Sequence, residues 1–271
     1  MISLDGRLGS FELKRLFPGE ESVFTNPKPS ELLESLISFV TESDSLVADF
    51  FAGSGSIAHA ILELNRKDKS DRRYILVQLP EPTERTDYPM ITDITKERVR
   101  RVIKKLNDED AQGSRQLVLS PAPSPESGRG EKPDRGFRVF KLAESNFKPW
   151  TADVPHEAKA LEKQLELHVD HIRDGRTADD LLYEILLKSG FPLATPVETL
   201  TLAGKAVYSV AGGVLFICLE RELTLELIRA MAEKKTERVV CLDEGFAGND
   251  QLKANAVQIF KTKGITSFKT V

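Results

Sequence analysis

Only two cysteines occur in 271 residues. Cys218 and Cys241 both lie in apolar, strand-like runs, which reads as a pair of small buried hydrophobes and excludes a disulfide framework. No apolar run approaches the roughly 18–20 residues that a membrane helix needs, so no membrane partner is expected. Met1-Ile-Ser-Leu-Asp-Gly-Arg carries neither a basic n-region nor an apolar h-region; no signal peptide is expected, and a cytoplasmic location follows. Neither charge is in large excess. The 38 basic and 42 acidic residues leave a net charge of −4, which speaks against a chain that binds nucleic acid throughout but leaves room for a local basic groove. His168 and His171 flank Asp170 at i, i+3 without a third ligand, so no metal site is expected. What is present, 40% hydrophobic and 30% charged residues, describes a globular protein with room for one large domain or two ordinary ones.

Along the chain, Phe11, Leu13, Leu16 and Phe17 suggest a short helix broken by Pro18-Gly19, and residues 1–25 read as a remnant or connecting segment. From Ser30, taken as an N-cap, Leu32, Leu33, Leu36, Ile37 and Val40 recur at helical spacing. Leu46 to Phe51 reads as a buried strand, Ser56 to Leu64 as a helix, Tyr74 to Leu79 as a second strand. Thr95 to Leu106 reads as a helix with Val99, Val102, Ile103 and Leu106 on one face. This order predicts a parallel α/β sheet. Residues 108–135, with Pro121-Ala-Pro-Ser-Pro-Glu-Ser-Gly-Arg-Gly at their centre, read as a linker, and Gly136 to Leu142 alternates like a third strand of the same sheet.

The second half, 155–271, reads as a separate α/β unit. Helices are expected at Ala158–Ile172, at Ala178–Lys188 capped by Thr177, at Leu223–Glu233 and at Asp250–Lys261. Strands are expected at Val197–Leu202, Ala206–Ser209, Val214–Leu219, Val239–Leu242 and Ile265–Phe268. Trp150 is expected to be a buried anchor joining the halves.

The chemistry concentrates in Val47-Ala-Asp-Phe-Phe-Ala-Gly-Ser-Gly-Ser-Ile-Ala-His-Ala60. Gly53 and Gly55 remove the Cβ atoms that would hold a ligand off the backbone, and a helix starts there, turning its N-terminal amides towards the ligand. The Gly-x-Gly-x-x-Ala spacing through Ala58 also suits a dinucleotide. Two features favour S-adenosylmethionine. Asp49, ahead of the glycines, suits an ammonium group and offers nothing to a pyrophosphate, and Phe51 adds a flat wall. At the end of the second strand Gln78 takes the position of a ribose partner, with Glu81 as a fallback beyond Pro80. Elsewhere, Lys96, Arg98, Arg100, Arg101, Lys104 and Lys105 make one helix basic. That helix either touches phosphates or, the preferred reading, presents a solvated face with intrahelical ion pairs. His59, one turn into the cofactor helix, is expected to pack.

Asn26-Pro-Lys-Pro-Ser-Glu-Leu-Leu33 followed by Asp49-Phe-Phe-Ala-Gly-Ser-Gly55 resembles the adenine-specific amino-methyltransferases of DNA. Tyr74-Ile-Leu-Val-Gln78, Ile94-Thr-Lys-Glu-Arg-Val-Arg-Arg101, Ser145-Asn-Phe-Lys-Pro-Trp150 and Asp243-Glu-Gly-Phe-Ala-Gly-Asn-Asp250 narrow the resemblance to the modification subunit of type III restriction–modification systems. The resemblance runs from about Phe24 to the C-terminus. It implies a partial Rossmann-like, S-adenosylmethionine-dependent sheet over 26–150. By the resemblance, Lys28 and Pro29 begin the segment beside the methionine end of the cofactor. Asp49, Phe51, Gly53, Gly55 and Ser56 line the cofactor, and Gln78 stands at the ribose. It implies DNA, a restriction subunit and a second copy as partners.

The family's catalytic Asp-Pro-Pro-Tyr tetrapeptide does not occur in this sequence. The family places it, with the target-reading region, N-terminal to the cofactor motif. The expectation is therefore the C-terminal portion of a methyltransferase, inactive or nearly so by itself, and either a truncated product or one half of a split enzyme. Its strand at 46–51 would have an open apolar edge. Two other readings remain open. One is a non-catalytic assembly module acting through 155–271. The other is a nicotinamide-dependent oxidoreductase, against which the missing acid at the end of the second strand speaks.

Overall fold

A computed structural model describes residues 7–118, 133–148 and 172–271. The helix expected at Ala158–Ile172, the Trp150 anchor, His168, His171 and the Pro/Ser/Gly stretch fall outside them, apart from Ile172 itself. The chain divides into two compact units, Met1–Val139 and Phe140–Val271.

The first unit is built around a parallel pair of strands, β1 (Leu46–Asp49) and β2 (Arg73–Leu76), with Leu46 opposite Arg73 and Asp49 opposite Leu76. Helix α3 (Ser56–Asp68) makes the crossover between them. Among the described residues the unit also holds α1 (Leu8–Leu16), α2 (Ser30–Val40) and α4 (Ile91–Val118). The apolar stripes of α2 and α4 meet at α3. Ile37 of α2 packs with Ala60, Ile61 and Leu64, while Val99, Val102 and Leu106 of α4 pack with Ala58 and Leu62. Within the segment read as a remnant, Leu13 and Phe17 are buried with Val23 and Ile94.

Several expectations are corrected. Ser30 is the first residue of α2, not its cap. Pro29 holds the cap position, and the Ser30 amide donates to Oε2 of Glu12 at 2.9 Å, so a carboxylate from α1 satisfies the helix start. The strand read as buried over Leu46–Phe51 ends at Asp49 and is covered on one face only. Val47 and Tyr74 pack on the helices. On the other face Leu46 is 54% exposed and Ile75 49% exposed, as period-two alternation dictates. Among the described residues β1 has β2 as its only neighbour, leaving the other edge open. Helix α4 runs on to Val118, into the stretch read as linker. Gly136 to Leu142 forms no ladder. Phe137 instead packs against the α3/α4 cluster, where the Arg100 guanidinium lies 5.9 Å from its ring centre.

The second unit takes in 140–148, which the sequence groups with the first. Asn146 is tied to helix α5 (Ala178–Lys188), donating its amide hydrogen to Glu184 and its side-chain NH2 to the Asp180 carbonyl. Thr177 caps α5 in a full capping box with Asp180. The five-stranded sheet runs in the order β3 (Val197–Leu202), β4 (Lys205–Val210), β5 (Leu215–Cys218), β6 (Arg238–Cys241), β7 (Ser267–Thr270). The first two pairings are antiparallel and the last two parallel. Helix α6 (Leu225–Ala232) links β5 to β6, and α7 (Asp250–Thr262) links β6 to β7. Both faces of this sheet are covered. Phe216 and Cys218 face a core of Leu227, Met231 and Phe260, while Leu215 and Ile217 face Leu182, Ile185 and Leu186 of α5. Cys218 and Cys241 are buried free thiols in register on neighbouring strands. No helix among the described residues is long and apolar enough to cross a membrane.

Candidate functional site

The turn between β1 and α3 is shaped by two glycines in the left-handed region, Gly53 at φ +53° and Gly55 at φ +78°. A side chain at either position would be strained. Space is restricted as well. A Cβ on Gly53 would lie 3.3 Å from the Phe24 ring, and one on Gly55 3.2 Å from Cγ2 of Thr95. The β1–β2 ladder continues into the turn, with the Val77 amide donating to the Asp49 carbonyl and the Ala52 amide to the Val77 carbonyl. The motif is therefore fixed at the C-terminal end of the parallel pair, where open α/β sheets bind ligands.

Asp49 accepts the Phe51 amide on Oδ1 at 3.0 Å. Its second oxygen has no hydrogen-bond partner among the described residues. The Phe51 ring is 90% exposed and Phe50 67% exposed. No side chain caps the first turn of α3. A carboxylate and an exposed ring suit a ligand with a cationic and a flat part, and the uncapped helix start suits an anionic group on the same ligand.

Other expected site residues have different partners. Gln78 accepts the Gly53 amide on Oε1 at 2.8 Å, and its Nε2 lies 3.2 Å from both the Leu79 carbonyl and the Glu81 carboxylate. Its amide is thus spent on bracing the turn and orienting Glu81. Ser56 is buried and accepts from Arg98 at 2.8 Å. Lys28 is exposed and Pro29 buried. Their segment is pinned by α1, whose Gly9 packs so closely that a Cβ would meet the Pro27 carbonyl oxygen at 2.0 Å. No hydrogen bond among the described residues ties Lys28 or Pro29 to the glycine turn.

Beneath the turn lies a buried polar cluster that sequence reasoning missed. Arg98 is 0% exposed, not part of a solvated basic face. Lys96, Arg100 and Arg101 do make intrahelical pairs, with Asp93 and Glu97. Arg98 instead donates through Nη1 to the hydroxyls of Ser54 (2.9 Å) and Ser56 (2.8 Å), and its Nη2 lies 3.5 Å from Glu12. Nδ1 of His59 is 3.0 Å from Glu12, and Nε2 3.6 Å from Glu63. His59 therefore packs in an ionic setting. Burial alone would raise the Glu12 carboxyl, but the hydrogen bond and charge of His59, with both donors of Ser30, outweigh it and hold it at about 2. Hydrogen bonding to His59 and Lys105 brings Glu63 to about 2 against its burial. Burial lowers the Arg98 guanidinium to about 10. A signal for Arg98 was available: it stands at i+4 from Ile94 and i−4 from Val102, both buried, so its position belongs to the inward stripe of α4. Thr95, whose Oγ1 donates to the Gly53 carbonyl at 2.6 Å, was missed too.

Residues 10–105 match the DNA methylase family. The chain is 32% identical over 255 residues to the Mod subunit of the type III restriction-modification enzyme EcoP15I of Escherichia coli, covering 92% of this chain and 34% of that protein. It is 29% identical over 247 residues to the EcoPI Mod subunit of Escherichia phage P1, covering 88% of this chain and 32% of the relative. The StyLTI Mod subunit of Salmonella typhimurium is 36% identical over 104 residues, or 36% of this chain and 16% of the relative. The chain thus resembles type III Mod subunits and spans about a third of the length of the first two.

Proposed function

We propose that the chain is the cofactor-binding part of a type III DNA adenine-N6 methyltransferase and takes S-adenosylmethionine on the Asp49–Gly55 turn. The observation that carries this is the free oxygen of Asp49 beside two left-handed glycines at the end of a parallel strand. The likeness to Mod subunits over most of the chain supports it. In this reading the first unit is a partial Rossmann-like sheet. Asp49 pairs with the methionine ammonium, Phe51 walls the adenine, and Gly53 and Gly55 let the cofactor approach the backbone. Lys28 and Pro29 border the methionine end. Gln78 and Ser56 contribute by shaping the turn, and Glu81, hydrogen-bonded by Gln78, offers the carboxylate for the ribose hydroxyls. The cofactor, when bound, supplies an electrophilic methyl group.

The chain's own residues hold and orient; they do not present the target adenine. That task needs the Asp-Pro-Pro-Tyr-type tetrapeptide, which would grip the amino group of a flipped base and align it for in-line attack. We place that tetrapeptide on a companion N-terminal half whose strand pairs with the open edge of β1, with DNA, a restriction subunit and a second Mod copy as partners of the whole. The test is methyl transfer to adenine-containing DNA. The chain alone should transfer none, and adding a half that carries the tetrapeptide should restore transfer. Sustained turnover by the chain alone would overturn the division of labour.

A second reading, an assembly module, is favoured by the second unit, whose sheet is covered on both faces by its own residues. Self-association through that unit without S-adenosylmethionine uptake would support it.

A further inference from the structure

We propose that Thr95 and Arg98, one turn apart on α4, form a clamp that presets the Gly53–Ser56 turn for its cofactor, with Glu12 as the buried counter-charge that keeps Arg98 in place. The proposal rests on the reading of this turn as the S-adenosylmethionine site.

Each residue of the turn is held from below by α4. Thr95 Oγ1 donates to the Gly53 carbonyl at 2.6 Å, and Cγ2 of Thr95 closes the space beside Gly55. The Arg98 guanidinium reaches the hydroxyls of Ser54 and Ser56, on either side of Gly55. The clamp answers a specific problem. Two left-handed glycines within three residues are permissive positions, free to populate other φ values, so the turn by itself would be conformationally diffuse. Ordering it before the ligand arrives removes that cost from binding. A guanidinium suits the task because its planar fork serves two hydroxyls and a carboxylate together; an ammonium on a flexible stem would not. A fully buried cation in turn requires a counter-charge, and Glu12 supplies it from α1 while also satisfying the start of α2. Thr95 and Arg98 are thus positioning residues: neither contacts the cofactor, and both act through the backbone that does.

The test uses the full chain and three readouts: amide exchange at Gly53 and Gly55, affinity for S-adenosylmethionine by calorimetry, and melting temperature. Thr95→Val keeps the shape and the methyl contact and removes only the hydroxyl. It should raise exchange at both amides and weaken affinity, each by about fivefold, the worth of one net hydrogen bond, with the melting temperature lowered by no more than about 4 °C. Thr95→Ser should restore both. Arg98→Met combined with Glu12→Gln removes cation and counter-charge together and should move exchange and affinity in the same direction. Exchange and affinity both unchanged in Thr95→Val would overturn the clamp, as would faster exchange with unaltered affinity. If the unmodified chain takes up no S-adenosylmethionine, the cofactor reading fails. The exchange data then still show separately whether α4 sets the turn.

Discussion

Asp49 places one carboxylate oxygen on the Phe51 amide, and the other has no partner among the described residues. Asp49→Asn keeps an acceptor for Phe51 and removes the charge. Affinity for S-adenosylmethionine should fall about ten- to a hundredfold, the range of a charge-assisted hydrogen bond, with the melting temperature unchanged. An equal affinity in calorimetry would remove Asp49 from the site. Glu12 and Glu63 make a pH prediction. Both carboxyls sit at about 2 in the folded chain, below the roughly 4.3 of a free glutamate. A depressed folded value means stability that is fully present above the unfolded value and is lost as pH falls towards 2. Urea midpoints should therefore drop between about pH 5 and pH 2, and Glu12→Gln should flatten part of that slope. A parallel slope in the variant would deny Glu12 this role. At this scale the sequence was legible where chemistry is concentrated and opaque where burial decides. Asp49 and the glycines stand out as a motif, whereas Arg98 hides in a basic run because its partners Glu12, Ser54 and His59 are distant in sequence or chemically unremarkable.

At the scale of elements, helices with a clear stripe were read nearly to the residue, such as Ala178–Lys188 with its Thr177 cap. Failures came where pattern and environment part. Leu46 to Phe51 is apolar enough for a strand buried on both faces, as parallel sheets require, yet here one face is bare. Gly136 to Leu142 alternates like a strand but finds no edge to join. The bare face bears Leu46, Ile75 and Val77, and Phe50 and Phe51 follow β1, beside an unpaired edge. Exposed edges and apolar patches promote association. Leu46→Thr combined with Ile75→Thr should reduce the mass seen by light scattering at high concentration. Because both positions are half-exposed, the stability cost should stay within about 1 kcal/mol. Unaltered association would shift attention away from this face.

At the scale of the molecule, the two units express different degrees of completeness. The second has a sheet covered on both faces, with buried Cys218 and Cys241 at its centre. The first carries a motif held by α4 and Gln78, and a two-stranded sheet covered on one face. Asn146 joins the second unit through Glu184 and Asp180, contacts that span dozens of residues and that local apolar patterning does not reveal. In the proposed reading the Asp49–Gly55 turn binds S-adenosylmethionine without the groups that act on adenine. Calorimetric titration of the full chain with S-adenosylmethionine, and in parallel with NAD, is the decisive experiment. Saturable one-site heat with S-adenosylmethionine and none with NAD is the predicted result; no heat with S-adenosylmethionine up to millimolar ligand, or preferential binding of NAD, would contradict it.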